Sequence, residues 1–229
     1  MIWDRVLDTL LPTNCVCCGR PPSLVCASCV TRAKPALAFR GEIQIAVASP
    51  LDQNLAKLIT EFKDASQVAL AAALTGLVNA ALNLALQTLL QGQPTSALAL
   101  TWVPSSRAAF RRRGFDANRV LLKRTQRMRQ TAGLAPLRIV QPLRHVAAAR
   151  DQSGLGRSAR FDNLRGRFSA RYCSQPLLIF DDIVTTGATL SAAASALESA
   201  GCTLLGGFAI AETQLRANTP GASRITKVG

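Results

Sequence analysis

Apolar residues follow two different rhythms along this chain, and the two rhythms alternate. Five short apolar runs have the length of a strand, and they cover residues 42–49, 97–103, 137–140, 177–180 and 203–210. Four longer segments repeat apolar positions at helical spacing, over residues 51–63, 66–90, 115–128 and 187–199. Strands that alternate with helices predict an α/β fold in which crossover helices flank a parallel sheet.

The segment 66–90 is the most apolar of the predicted helices. Residues 68–92 include no charged side chain, but Thr75, Asn79, Asn83 and Gln87 recur at every fourth position. This spacing places a polar stripe along one side of a helix, which is typical of an amphipathic helix packed in a protein and not of a lipid-facing span. We therefore expect no membrane span.

The chain divides into two parts by composition. Residues 1–40 predict a short helix followed by a cysteine-containing module rich in turns, and residues 41–229 contain the alternating strands and helices. Within the second part, residues 144–168 are polar and basic and include three glycines, which indicates a long excursion from the sheet.

Charge narrows the choice of partners. Lys and Arg total 27 against 13 Asp and Glu, so the net charge is +14, and 48% of the residues are hydrophobic. Such a surplus favours anionic partners, which include phosphorylated small molecules, nucleic acid and acidic membrane surfaces. Only 8 Phe, 2 Trp and 1 Tyr are present, so the chain has few candidates for stacking on single-stranded bases.

The cysteines near the amino end predict a metal site. Cys15 and Cys18 form one Cys-x-x-Cys pair, and Cys26 and Cys29 form a second pair. Two such pairs suit a structural Cys₄ zinc site, whereas a redox pair or an iron–sulfur cluster would explain the same residues less directly. The opening residues 1–13 contain two acids and no run typical of a signal peptide, so a cytoplasmic location is expected.

Residues 181–189, with the sequence DDIVTTGAT, have the most specific chemistry. They join a buried strand to an alanine-rich helix, and ligands of open α/β sheets bind where strands end. The free N–H groups at the start of a helix suit a phosphate, and Gly187 permits a close approach. The hydroxyls of Thr185, Thr186 and Thr189 suit the same phosphate, while Asp181 and Asp182 suit two neighbouring ribose hydroxyls.

This loop resembles the phosphoribosyl-pyrophosphate signature of the type I phosphoribosyltransferases. The resemblance implies a type I phosphoribosyltransferase-like sheet, in which Asp181 and Asp182 hold the ribose hydroxyls. It also implies that residues 185–189, including Gly187 and Ala188, hold the 5′-phosphate. Mg²⁺ is expected to bridge the pyrophosphate and the ribose hydroxyls, with most of its ligands supplied by substrate and water.

Three further stretches resemble the ComF (GntX-like) family of competence and DNA-utilisation proteins. These are Val-Pro-Ser-Ser-Arg at residues 103–107 with Arg-Gly-Phe at residues 113–115, the Gln-x-x-Leu…Arg-x-x-Asn element at residues 152–163, and the cysteine pairs. The resemblance makes residues 104–107 a pyrophosphate loop, and residues 144–168 a mobile hood. It proposes contacts to substrate from Ser105, Arg107, Arg113, Gln152 and Arg160. Arg-Gly-Phe is followed by Asp116 and Ala117, where the family usually has Asn-Gln.

Two functions remain open at this point. The first is a phosphoribosyltransferase that transfers the ribose 5-phosphate group at its anomeric carbon and releases pyrophosphate. The second is a non-catalytic accessory protein that senses the nucleotide precursor during DNA uptake or utilisation and binds single-stranded DNA and DNA-uptake proteins. The sequence identifies neither the acceptor base nor the oligomeric state.

Overall fold

The computed structural model describes residues 14–30, 32–64, 68–90, 92, 94–146 and 166–213. These described residues form eight strands: β1 (Ala36–Arg40), β2 (Ile43–Pro50), β3 (Ala99–Trp102), β4 (Arg138–Ile139), β5 (Leu143–His145), β6 (Phe168–Ala170), β7 (Leu177–Val184) and β8 (Leu204–Glu212). Within the same ranges there are five α-helices: α1 (Gln53–Asp64), α2 (Ala71–Thr88), α3 (Arg107–Arg113), α4 (Ala117–Thr131) and α5 (Ala188–Ser199). Two short 3₁₀ turns occupy Val68–Leu70 and Thr95–Ala97.

Six of the strands form one sheet in the order β1-β2-β8-β7-β3-β4. Strand β1 is antiparallel to β2, and the remaining neighbours are parallel. The prediction of an α/β fold with a largely parallel sheet is therefore confirmed. Strands β5 and β6 form a separate antiparallel pair.

The sheet is covered on both faces, as continuous apolar strands require. Residues of α1, α2 and α4 form one core cluster with the sheet, and residues of α5 and of the β5–β6 pair form the other. Phe180 of β7 and Phe208 of β8 pack in the first cluster with ring centroids 5.1 Å apart. Helices on both faces leave the ends of the parallel strands as the open edge for a site.

Helix α2 contains the polar stripe predicted from the sequence, and the stripe is a packing surface. The buried guanidinium of Arg129 on α4 donates to Asn83 Oδ1 at 2.6 Å and to Asn79 Oδ1 at 3.1 Å. Helix α2 is also the one described helix that is long and apolar enough to cross a membrane, which by itself is weak evidence for a span. Half of its apolar window is buried inside the protein.

Several elements differ from the prediction. Strand β1 and helix α3 were not predicted, and β7 continues past Phe180 to Val184, so Asp181 and Asp182 lie inside the strand. Helix α3 buries no side chain and therefore carries no apolar periodicity that a sequence pattern could detect. The ends of the predicted excursion 144–168 belong to β5 and β6, while Gln152 and Arg160 lie outside the described residues.

The proposed division at residues 40 and 41 falls at the turn between β1 and β2. Residues of β1 pair with β2 and so belong to the main sheet. The cysteine segment that precedes them packs Val16, Leu24 and Val25 against the larger core cluster. The two-part organisation remains a prediction.

Candidate functional site

The candidate site lies where β3 and β7 end side by side. The chain continues from β7 through α5 to β8 on one side, and from β3 through α3 and α4 to β4 on the other. A sheet whose connections diverge in this way has a switch point between the two strands, where ligands commonly bind. The loops predicted to bind the 5′-phosphate and the pyrophosphate follow these two strands, so the fold brings them together.

The twin carboxylates are enclosed within the site. The exposed fractions of Asp181 and Asp182 are 8% and 6%. Asp181 Oδ1 accepts a hydrogen bond from Asn118 Nδ2 at 3.1 Å, and Asp182 forms an ion pair with the ammonium of Lys63 at the end of α1. Both acids, which were expected to face a ligand, are therefore buried and in contact with protein groups.

Burial has a strong effect on Asp181. Desolvation and then the adjacent Asp182 carboxylate raise the pKa of Asp181 to about 8, against the opposing effects of the Asn118 hydrogen bond and the Lys63 charge. This shift favours the protonated form of Asp181 at neutral pH. A pair of close carboxylates avoids a double negative charge in this way.

Lys63 and Asn118 were missed by the sequence analysis. Asn118 Nδ2 also donates to Val103 O at 3.0 Å, so one amide group ties the end of β3 to a carboxylate of β7. Asn118 and Asp181 are separated by 63 positions in the chain. Lys63 and Asn118 both occur in helices with ordinary periodicity, and no local signal distinguishes them from other polar helix residues.

The start of α5 is accessible where a phosphate would bind. No side chain caps this helix, and Thr185 and Thr186 in the loop before it are exposed. The Ala188 N–H donates to Thr186 Oγ1 at a long distance of 3.4 Å. The hydroxyls and the helix start predicted for phosphate binding therefore lie together at the surface.

Gly187 is held in this loop by its neighbours. Its φ of +83° lies in the left-handed region, and a Cβ atom there would lie 2.4 Å from Arg40 Cβ. Arg40 is itself buried, donates from Nε to Thr185 O at 2.7 Å and pairs with Glu212. The glycine is thus required both by the backbone angle and by the packed arginine.

A small cavity lies between Asp181 and residues 185–189, which are predicted to hold the 5′-phosphate. It measures about 20 Å³ and is lined by Asp181, Ile183, Val184, Thr185, Gly187, Thr189 and Leu190. That volume suits about one water molecule. A larger depression of about 520 Å³ lies elsewhere, between β6 and the second half of α5, and contains none of the predicted site residues.

The loop after β3 is held by an acid that the sequence analysis treated as a departure. Asp116 Oδ2 accepts from the Ser105 N–H at 3.0 Å and from Trp102 Nε1 at 3.2 Å. The Ser105 N–H, predicted to approach an anion, is therefore occupied by the protein in this arrangement. Asp116 is also the amino cap of α4.

The arginines of the predicted pyrophosphate loop differ in their surroundings. Arg107 is exposed at the first position of α3. Arg113 is largely covered and lies 3.3 Å from Asp64 Oδ1, which is also 3.1 Å from Arg112. Arg107 is thus the side chain better placed to meet a ligand from solvent.

The four predicted metal ligands come together near the amino end. The Sγ atoms of Cys15, Cys18, Cys26 and Cys29 all lie within 4.8 Å of one another. A tetrahedral ion bound at about 2.3 Å separates its sulfur ligands by about 3.8 Å, and the Cys18 and Cys26 sulfurs lie 3.6 Å apart. The cluster therefore has the donors and the spacing to hold a metal ion such as zinc.

The thiols of this cluster differ in acidity. Burial opposes ionisation of Cys15, but hydrogen bonds from the backbone of Cys26, Cys18 and Cys17 lower its pKa to about 6. A hydrogen bond with Cys18 raises the pKa of Cys29 to about 12. A cation shared by all four sulfurs would favour the thiolate form at every position.

Cys17 lies between the ligands in sequence but outside the cluster. Its Sγ is directed to Asn54 O on α1 at 3.6 Å, and its carbonyl accepts from Lys57 Nζ at 3.4 Å. The fifth cysteine therefore attaches the cysteine segment to α1.

No known family model matches this chain, and no curated protein matches it at a significant level.

Proposed function

We propose that this protein binds phosphoribosyl pyrophosphate between β3 and β7 and acts as a ComF-like phosphoribosyltransferase with a type I phosphoribosyltransferase-like sheet. The observation that carries the proposal is the position of two predicted loops at one switch point. The end of β7 contributes the twin acids Asp181 and Asp182, and the turn after it contributes exposed threonines and a helix start without an N-cap side chain. The segment after β3 contributes Ser105 and, at the start of α3, Arg107. This combination suits a ligand with both sugar hydroxyls and phosphates.

In the proposed complex the 5′-phosphate lies against residues 185–189, and the ribose hydroxyls donate to Asp181 and Asp182. Pyrophosphate lies toward residues 104–107 and the arginines of α3. The C1–O bond to pyrophosphate breaks while a bond forms from the acceptor to C1, and the pyrophosphate leaves with the electron pair. The protein's contribution is positioning and charge stabilisation.

Two metals are part of the proposal. Zn²⁺ is held by Cys15, Cys18, Cys26 and Cys29 and is structural, because four thiolates leave no open coordination position. Mg²⁺ would accompany the ligand and supply positive charge for the pyrophosphate, and Asp181 and Asp182 are the residues that could offer it protein oxygens.

Calorimetric titration with phosphoribosyl pyrophosphate and Mg²⁺ tests the binding. We expect saturable binding by the wild type and a loss of roughly tenfold or more in affinity for Asp181→Asn and for Asp182→Asn, because each loses an acceptor for a sugar hydroxyl. Glu198→Gln is the matched control, since Glu198 is exposed near the far end of α5. Equal affinity in all four proteins would reject this site.

Catalysis needs a separate assay. Pyrophosphate release from phosphoribosyl pyrophosphate in the presence of Mg²⁺ and a panel of bases would support the transferase. Binding with no release for any base would favour the accessory role.

One observation favours the accessory role in nucleic-acid handling. Phe110 is 48% exposed on α3, and Arg107 lies three positions earlier on the same helical face. An exposed ring beside an arginine suits stacking on a base next to a phosphate backbone. Single-stranded DNA binding that falls steeply with salt and is lost in Phe110→Ala would support this second function.

A further inference from the structure

We propose that Lys63 is the residue that selects ligands carrying a pyrophosphate group, by leaving Asp182 and pairing with that group when ligand binds. The inference rests on the proposed function, since it names a specificity-determining residue for the same site. Lys63 belongs to neither of the sequence motifs by which the loops after β3 and β7 were predicted.

The position of Lys63 is set by α1, which ends at the site. Leu58, Ile59 and Phe62 on this helix are buried in the larger core cluster, so the helix is firmly packed up to the position before Lys63. Phe62 also meets Phe115, which follows α3, with ring centroids 5.7 Å apart. A packed helix end therefore delivers the Lys63 ammonium to the carboxylates.

The ion pair has one enclosed and one more open partner. The Asp182 side chain is 8% exposed and the Lys63 side chain is 24% exposed. A buried carboxylate needs a partner, whereas a lysine with a long flexible stem can exchange partners at small cost. Lys63 is thus the member of the pair that can move.

Ligand binding makes such an exchange necessary. If sugar hydroxyls donate to Asp182, they replace the ammonium that now occupies it. The displaced ammonium then needs an anion within reach of its stem. Lys63 lies on the side of the sheet that carries α1 and α4, and the next residue, Asp64, contacts Arg112 of α3, the helix that follows the predicted pyrophosphate loop.

Two nearby arginines are already paired. Asp64, the residue after Lys63, pairs with Arg112 and Arg113 of α3. In the part of the chain that the structure describes, Lys63 is the cation that forms an ion pair with Asp182. Its charge therefore lies at the position where a ribose bound by Asp182 would carry its diphosphate.

Comparing two ligands distinguishes a contact between Lys63 and the pyrophosphate group from a role of Lys63 in shaping the site for any ligand. Phosphoribosyl pyrophosphate and ribose 5-phosphate share the sugar and the 5′-phosphate, and only the first has a pyrophosphate. We expect Lys63→Gln to weaken phosphoribosyl pyrophosphate by roughly tenfold or more, as for the loss of a charge-assisted hydrogen bond. Ribose 5-phosphate should change by less than about threefold.

The choice of variants keeps the protein folded. Gln can still donate a hydrogen bond to Asp182, so the carboxylate is not left without a partner. Lys63→Arg retains the charge and should recover most of the preference for the diphosphate. Lys57→Gln is the matched control, because Lys57 is exposed on the same helix and contacts only the carbonyl of Cys17 among the described residues.

The outcomes distinguish this inference from the proposed function. No binding of phosphoribosyl pyrophosphate by the wild type would remove the proposed function itself. Wild-type binding with an equal loss for both ligands in Lys63→Gln would show that Lys63 only shapes the site, and no loss would show that it makes no contact. Either of these last results overturns the role of Lys63 while leaving the proposed function standing.

Discussion

The cysteine cluster and the carboxylate site are two polar centres of opposite construction. The four cluster sulfurs come from residues 15–29, and each pair of ligands belongs to a single tight turn. The carboxylate site draws Lys63 from α1, Asn118 from α4 and Asp181 with Asp182 from β7. The first centre depends on local spacing, whereas the second exists only after the whole sheet has assembled.

This difference teaches where a substitution should act. Removing a ligand from a local centre should abolish one function and leave the sheet intact. Removing a partner from the assembled centre should alter stability, acidity and ligand binding together, because the same contacts support all three.

The largest expected effect is in the cysteine cluster. Cys29→Ser should lower bound zinc from about one ion per chain to nearly none under mild chelation, because one of four thiolates is lost. Cys17→Ser should keep the metal, since the Cys17 Sγ contacts Asn54 O and is not one of the four grouped sulfurs. Metal analysis by mass spectrometry after dialysis decides between them. Equal zinc loss in both variants would show that the cluster is not the binding site.

The next effect concerns pH and the assembled centre. An acid can have a higher pKa in the folded state than in the unfolded state. Its contribution to stability is then complete below the pKa of the unfolded state, and it is lost as pH rises to the pKa of the folded state. For Asp181 the window extends from about pH 4 to about pH 8. Urea unfolding should therefore show a fall of about 2–3 kcal/mol between pH 5.5 and pH 7.5 that is absent in Asp181→Asn. Identical slopes in the two proteins would show that Asp181 is ionised throughout.

An effect of similar size is expected at the turn after β7. Gly187→Ala combines a left-handed backbone with a contact to Arg40 Cβ, whereas Gly114→Ala has a similar φ of +78° and open space around it. The first should lower the free energy of unfolding by about 2–3 kcal/mol and the second by about 1 kcal/mol. Thermal or urea unfolding of both variants measures the difference. Equal losses would mean that the arginine yields freely to the added methyl group.

The smallest effect should come from Asn118. Asn118→Ala removes the amide that joins Val103 O to Asp181 Oδ1 and should cost about 1–2 kcal/mol. Because that hydrogen bond lowers the pKa of Asp181, its loss should raise this pKa further. The pH-dependent fall in the free energy of unfolding should then extend to higher pH. An unchanged dependence of stability on pH would show that Asn118 does not affect the pKa of Asp181.

The sequence predicted what local rules determine. The strands at residues 42–49 and 177–180, the helix at residues 187–199 and the grouping of four cysteines all depend on periodicity or short spacing, and the structure contains each of them. Strand β1 was missed because Pro35 and the preceding turn residues suggested more loop, although the residues that follow pair along β2. The pairing partner, and not the pattern, determines that strand.

The carboxylate site was only half visible for the same reason. Asp181, Asp182 and the threonines form one continuous motif, so they were found. Lys63 and Asn118 reach the site from helices distant in sequence. Asp116 accepts a hydrogen bond from the Ser105 N–H in the loop after β3, and no sequence pattern indicates that contact. Proximity between distant segments is a property of packing, and a single sequence does not contain it explicitly.

The pairing of β2 with β8 has a consequence for synthesis on the ribosome. Strand β2 joins β1 in a hairpin as soon as both emerge, but its other edge pairs with residues 207–212, which are made much later. At about 5–20 residues per second, roughly 10–30 s pass before that partner is translated. An apolar strand edge stays open throughout this interval, so the nascent chain should depend on chaperones to avoid pairing with another polypeptide.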